Sequence, residues 1–429
     1  MIYLVFKKGG RERGGMETGK KGWVIILFLG MIFLGNNINA QTLPTLNSPI
    51  LNLQSLTLEI CIHKAIENNQ NIKISTLEIA NSQALIGTAR ELPKTNIDVQ
   101  YGRTQVYTGN DIIFSFGQNF ALPSLYKANQ NLLKGNVLTA EKRANYTKNQ
   151  LIAEVKSVYY RWLNNVQIIR VLTQQDSLYT TAFRAASVRY KTGESNLLEK
   201  VSSETRLREI QNRVQMHQAD AKVLIEQMKF LLNTTENIIL DSTIPNRKTL
   251  SINELNVLSN PFLDILKQQN EVSKLQINLE KERLKPDFRV GIINQSIEQN
   301  YNQNAIQLGV NVPIFKKSQQ ARISSAKINQ QISNQQVQFA ESQLQNQLNT
   351  LKIQYEKSKN SLEYYESSVL PQADLIIRTA TKSYQAGEIE YVEFAQNITQ
   401  AWQIKEAYLF ELQEFNQIVI NIETVIGNE

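Results

Sequence analysis

The side chains that could do chemistry are few. Cys61 and His63 stand two apart in a segment of mixed polarity, and His217 stands alone. On a helix, residues two apart do not share a face, so ordinary helix side chains are the expectation for the first pair. One cysteine excludes a disulfide framework and any cysteine-based zinc or iron–sulfur centre. Two histidines and five methionines leave little for a transition metal. No glycine-rich phosphate loop occurs, so any energy would come from a partner. The sequence therefore points away from an enzyme, a cofactor or a resident metal. What remains is carboxylates, amides and phenols at particular places on long elements.

The elements that hold them belong to a chain of 429 residues with 42% hydrophobic and 20% charged side chains. This is length for two or three ordinary domains or one elongated object. The formal charge is +7, but residues 1–40 hold six basic and two acidic side chains, leaving only +3 elsewhere. That is too little for a phosphate-binding surface, so no nucleic-acid partner is expected. Lys20 and Lys21 precede an apolar run, Trp23 to Leu34, that ends in Ile38-Asn39-Ala40. This is the three-part pattern of an export signal, with Met16 as an alternative start and a mature chain from near Gln41. A membrane anchor is the competing reading, but a span needs about 20 apolar residues.

The body repeats once. Tyr190-Lys191-Thr192-Gly193-Glu194 matches Tyr384-Gln385-Ala386-Gly387-Glu388 at an offset of 194, which also relates Glu199 to Glu393. Leu92-Pro93 with Asn96 to Val99 resembles Lys285-Pro286 with Asp287 to Val290, and Phe120 to Pro123 resembles Val310 to Pro313. Four matches in one order indicate a duplicated unit. The boundaries expected are residues 54–233, a connector 234–259 containing Pro245, and residues 260–427.

Each unit reads helix, two strands, very long helix, tight turn, helix. A first helix from Leu58 to Glu91 stops before Pro93, and a counterpart runs from Pro261 to Leu284. From Ser124 to Tyr190 there is one glycine, Gly135, and no proline; from Ser318 to Tyr384 there is no glycine and one proline, Pro371. Each stretch, if continuous, would be roughly 100 Å long. Leu151, Val155, Val158, Trp162, Val166 and Ile169 are spaced by fours and threes, the pattern of a coiled-coil seam rather than a broad face. Gly193 and Gly387 would end these helices, since glycine adopts the positive φ of a C-cap. Shorter helices return from about Asn196 to Asn233 and from Tyr391 to Ile426.

Between the helices the period changes to two. Ile97, Val99 and Tyr101, then Phe114, Phe116, Phe120 and Leu122, alternate with polar or small residues around a loop with Gly109, Asn110 and Asp111. Phe288, Val290 and Ile292, then Ile306, Leu308, Val310 and Val312, do the same around a polar loop, Gln295 to Asn304. Such strands fit a transmembrane β-barrel. Four cannot close and an open edge cannot face lipid, so two copies would give eight strands or three would give twelve. A twelve-stranded lumen lined by Asp98, Gln100, Asn119, Gln307 and Asn311 would pass water and polar solutes. The competing reading is a pair of soluble hairpins capping a coiled coil.

These features together resemble the TolC family of outer-membrane efflux proteins across residues 54–427. Leu56-Thr57-Leu58-Glu59 leading through Ala65 to Asn68-Asn69, Asn260-Pro261 in the second unit, the repeated Tyr-x-x-Gly-Glu turn and Leu370-Pro371-Gln372-Ala373 carry the resemblance. It implies a mainly α fold with a homotrimer closing a twelve-stranded barrel in the outer membrane and a helical tunnel in the periplasm. The duct would serve a tripartite efflux or type I secretion system, with a periplasmic adaptor (membrane fusion protein) and an inner-membrane pump of RND type. Thr192, Gly193, Glu194, Ala386, Gly387 and Glu388 would be the periplasmic tips where the adaptor docks. The family's gate carries acidic residues six and nine positions after the second turn glycine; here these are Glu393 and Gln396, so one acid is replaced. The family also bridges the second turn tyrosine to an acid of the first turn, which maps onto Tyr384 and Glu199. The alternative is an exported, soluble coiled-coil scaffold or adaptor without a pore.

Overall fold

The structure is a computed structural model that describes residues 55–103, 109–243, 246–248, 250, 256–297 and 300–427. All belong to one compact unit, Leu53–Glu429. The expected export signal, residues 1–40, and Pro245 lie outside the described residues.

The expected first helix, Leu58 to Glu91, is three pieces: α1 (Leu58–Asn68), α2 (Gln70–Leu85) and a 3₁₀ turn (Ile86–Arg90). Asn69 breaks it with an extended ψ of 135°. Its Oδ1 accepts from Asn71 N at 2.8 Å, and its Nδ2 donates to the Leu231 carbonyl at 3.0 Å. An asparagine amide competes with the backbone for hydrogen bonds, and this one is worth a helix break because it caps α2 and ties down a distant carbonyl. The second unit uses the same device. Asn260 caps α5 (Pro261–Glu282) by accepting from Phe262 N and Leu263 N at 2.9 and 3.2 Å, and donates to the Val425 carbonyl at 2.8 Å.

Four strands form one antiparallel sheet in the order β1-β2-β3-β4: β1 (Asn96–Gly102), β2 (Asp111–Phe120), β3 (Asp287–Ile297) and β4 (Asn300–Asn311). The β2–β3 pairing sews the two repeats together, and β1 and β4 are open edges among the described residues. The expected polar loop from Gln295 to Asn304 is mostly ladder: Gln295 pairs Gln303, Asn294 pairs Asn304, and Ile297 pairs Asn300. Asn294 Nδ2 donates to Asn304 Oδ1 at 2.8 Å, so amide side chains pair across the strands and polarity there does not mark a loop.

From β2 the chain enters α3 (Pro123–Thr192), 70 residues and roughly 105 Å long. It returns in α4 (Leu197–Leu231). After β4 the long helix is α6 (Lys317–Tyr364), a π-helical segment (Tyr365–Val369) and α7 (Leu370–Ala386); α8 (Tyr391–Ile426) returns. The π segment interrupts the expected continuous helix because Pro371 has no N–H and its ring crowds the carbonyl four residues back.

The expected seam on α3 is wider than two positions per heptad. Leu151, Val155, Val158 and Trp162 are buried, while Val166 and Ile169 are half-buried. Ile152, Tyr159 and Leu163 are buried beside them, because α3 packs on α1, α4 and α8 at once. The connector straps both repeats: Lys156 and Lys248 share the Glu423 carboxylate at 3.0 and 2.8 Å. No helix among the described residues is long and apolar enough to cross a membrane.

Candidate functional site

Two regions hold the polar side chains singled out above, one at each end of the long helices. At the far end from the sheet, α3 stops at Gly193 (φ 80°) and α7 at Gly387 (φ 76°). Both turns have the double backbone bond of a Schellman cap. Gly193 N donates to Tyr190 O and Glu194 N to Arg189 O; Gly387 N donates to Tyr384 O and Glu388 N to Ser383 O. Thr192 Oγ1 donates back to the Val188 and Arg189 carbonyls, and Ser383 Oγ donates to the Glu388 carboxylate. Arg189, Glu194, Glu199, Gly387 and Glu390 line a single cleft, so the two turns lie side by side.

Tyr384 holds them together. Its ring is 2% exposed and stacks on Phe394 with centroids 4.5 Å apart. Its Oη donates to Glu199 Oε1 at 2.8 Å, while Ser195 Oγ donates to Glu199 Oε2. Arg189 Nη2 donates to the Tyr384 carbonyl at 3.2 Å, and the guanidinium lies 4.9 Å from the ring centroid. Burial first, and then the Glu199 carboxylate, push the Tyr384 phenol well above its ordinary 10; Arg189 opposes this but does not win. Burial likewise pushes Tyr391 up to about 12. The phenol is thus a firmly held donor at neutral pH.

Glu393 and Gln396 stand apart from this contact. Both are exposed on the first turns of α8. The Glu393 backbone carbonyl accepts from Asn397, but its carboxylate has no partner among the described residues. One residue that sequence reasoning missed is Arg189. The signal was present: the first repeat has Arg189 where the second has Ser383, an asymmetry within an otherwise repeated motif.

At the other end the sheet has two unlike faces. Ile97, Val99, Phe116, Ile292, Leu308 and Val310 share one face by register and are 51–77% exposed. The other face carries all five expected residues, Asp98, Gln100, Asn119, Gln307 and Asn311, along with Gly117, Gly291, Gly309 and Arg289. Ser115 Oγ donates to Asp98 Oδ2 at 3.5 Å, and Arg289 Nε donates to Asn119 Oδ1 at 3.3 Å.

The remaining candidates are structural. Cys61 is wholly buried, and burial pushes its thiol up to about 12; His63 is exposed beside Glu67. His217 is not isolated: its Nδ1 meets Asn165 Oδ1 at 2.8 Å and its carbonyl accepts from Asn165 Nδ2 at 2.8 Å, clamping α4 to α3. Among the described residues no three His, Cys, Asp or Glu side chains converge as a metal site.

Solved structures share this arrangement along nearly their whole length. CusC, which forms a transmembrane channel, and the outer-membrane channel OprN superpose with TM-scores of 0.75 each, at 16% and 13% identity. The overlap covers 88% of this chain and 93% of CusC, and 87% of this chain and 90% of OprN. The fold is that of the TolC-like outer-membrane channels. In sequence, the cobalt-zinc-cadmium resistance protein CzcC of Cupriavidus metallidurans is 20% identical over 385 residues, spanning 87% of this chain and 90% of CzcC. No protein-family model matches the chain.

Proposed function

We propose that the chain is the outer-membrane exit duct of a tripartite efflux system, passively conducting solutes from the periplasm to the exterior. The observation that carries this is the two-faced sheet. A row of large apolar side chains lies exposed on one face, with amides and charges on the other, and among the described residues both edges are unpaired. Water disfavours the first, and lipid forbids unpaired edges. A barrel closed by three copies, twelve strands in all, satisfies both, and the likeness to CusC and OprN supports it. The alternative of a soluble exported scaffold leaves that apolar face in water.

In this reading the helices cross the periplasm, and a periplasmic adaptor docks on the turns Thr192-Gly193-Glu194 and Ala386-Gly387-Glu388. The inner-membrane pump, of RND type, supplies the energy and chooses the cargo. Tyr384 and Glu199 hold the tip closed, and three copies of Glu393 and Gln396 form polar rings at the constriction. Asp98, Gln100, Asn119, Gln307 and Asn311 face the barrel lumen. CzcC is named for resistance to cobalt, zinc and cadmium; in this chain the duct is read as carrying no resident metal or cofactor.

Membrane fractionation followed by planar-bilayer recording tests the reading. Outer-membrane localisation, a detergent-stable trimer and discrete conductance steps are expected. A soluble monomer that never inserts would overturn it.

A further inference from the structure

We propose that Arg289 sets the ionic preference of the duct where the sheet begins, gathering anionic solutes and disfavouring cations; this rests on the proposed exit-duct function. Arg289 lies on the polar face of β3, directly opposite Gly309 and paired on its other side with Asn119. The neighbouring row on the same face is Gly117 and Gly291. Glycine on three sides leaves a trough where any other residue would raise a side chain. The Arg289 side chain occupies its Gly117 and Gly309 sides, while Gln307 Oε1 lies over Gly291: Nε lies 3.8 Å from where a Cβ on Gly117 would stand, and Arg289 Cβ lies 3.5 Å from where one on Gly309 would stand.

The guanidinium is held there by Asn119 Oδ1, a neutral acceptor, at 3.3 Å. No carboxylate pairs with it among the described residues. Asp287, two residues earlier on the same face, sits opposite Asn311, and the arginine leans the other way, toward the Gly117–Gly291 row. Asp98 on β1 is engaged with Ser115, a strand away from Asn119. A fixed cation with a neutral partner, lying flat in a water-lined face, keeps its full charge aimed at passing solutes. Cations in a polar pore raise local anion concentration in this way. Flat packing in the glycine trough also leaves the lumen open at the level of the charge, which an upright arginine would narrow.

Cysteine chemistry in the full-length protein reads this field whether or not the tip is open. The native Cys61 is fully buried, so a thiol introduced by Gln307→Cys, diagonal to Arg289 on the same face, is the reactive one. Rates with anionic sulfonatoethyl methanethiosulfonate and cationic trimethylammonioethyl methanethiosulfonate, each divided by its rate with free cysteine, give a local charge preference. A unit charge at the roughly 7 Å diagonal spacing predicts that adding Arg289→Gln lowers the anionic-to-cationic ratio about three- to sevenfold near 0.1 M salt. Arg289→Lys keeps most of the ratio. With Arg289 intact, raising salt to 1 M collapses the preference, a readout independent of any Arg289 variant. An unchanged ratio in Arg289→Gln, or a cationic preference with Arg289 present, overturns the inference and leaves the duct standing. A thiol inert to both reagents in inserted protein means a face without water and overturns both.

Discussion

Tyr384 Oη donates to Glu199 Oε1 at 2.8 Å, fastening the last turn of α7 to the first turn of α4 across the paired helix tips. The ring is packed on Phe394 and Tyr391, so the phenol has a fixed position and one acceptor. Tyr384→Phe removes the donor and should weaken the contact by about 1 kcal/mol, while Glu199→Ala leaves a buried hydroxyl unpaired and should cost about 1–3 kcal/mol. Both variants should show larger or longer single-channel openings than wild type, Glu199→Ala the more. Unchanged currents in both would remove this contact from the closed state.

The same phenol has a pH signature. Its folded-state value lies above the ordinary 10, so its contribution is complete below pH 10 and is lost as pH rises through the folded value. Thermal stability of the tip should hold from pH 7 to about 10 and fall beyond it. Tyr384→Phe should flatten part of that alkaline decline, which a melting series from pH 7 to 12 would detect.

At acid pH a different pair is exposed to titration. Burial raises the Glu406 carboxyl, but hydrogen bonds from Arg213 and Gln175, at 2.9 Å each, outweigh it and hold the group below 4.5. A lowered value means stability that is present above 4.5 and is lost as pH falls through the folded value. Glu406→Gln should be less stable than wild type at pH 7, with the gap closing toward pH 3, when melting is followed at both.

Glu393 and Gln396 should behave as pore residues without structural cost. Both are exposed, so Glu393→Ala should shift the melting temperature by no more than a surface substitution does, about 0.5 kcal/mol in equivalent stability. The same variant should reduce cation preference and divalent-ion block in bilayer recordings. Restoring the second acid with Gln396→Glu should strengthen both.

Asn69 and Asn260 separate capping from cross-linking. Each accepts at a helix start and donates to the end of a returning helix, Leu231 or Val425. Asn260→Asp keeps the cap and loses the donor; Asn260→Ala loses both. Stability measured by detergent-solubilised melting should fall in the order wild type, Asp, Ala, with Ala costing about 2 kcal/mol or more. Equal losses would mean the cross-link carries the whole effect.

Much of this protein was written in its periodicities. The switch from a helical to a two-residue period located the strands, and the absence of glycine and proline from Asn136 to Thr192 marked a helix of uncommon length. The left-handed caps at Gly193 and Gly387 needed only the backbone chemistry of glycine. The division of the sheet into an apolar and a polar face followed from alternation alone, because side-chain direction in a strand is a local property. Tertiary structure decided what local chemistry cannot encode. The break at Asn69 exists because a carbonyl 162 residues away needs its amide. Gln295–Ile297 and Asn300–Asn304 are strand because they pair across the hairpin, where Asn294 meets Asn304. Arg189 and Arg289 acquire their settings, an aromatic ring in one case and a glycine trough in the other, only when distant segments arrive beside them. Periodicity fixes which way a side chain points, but its partner depends on packing between segments far apart in the chain.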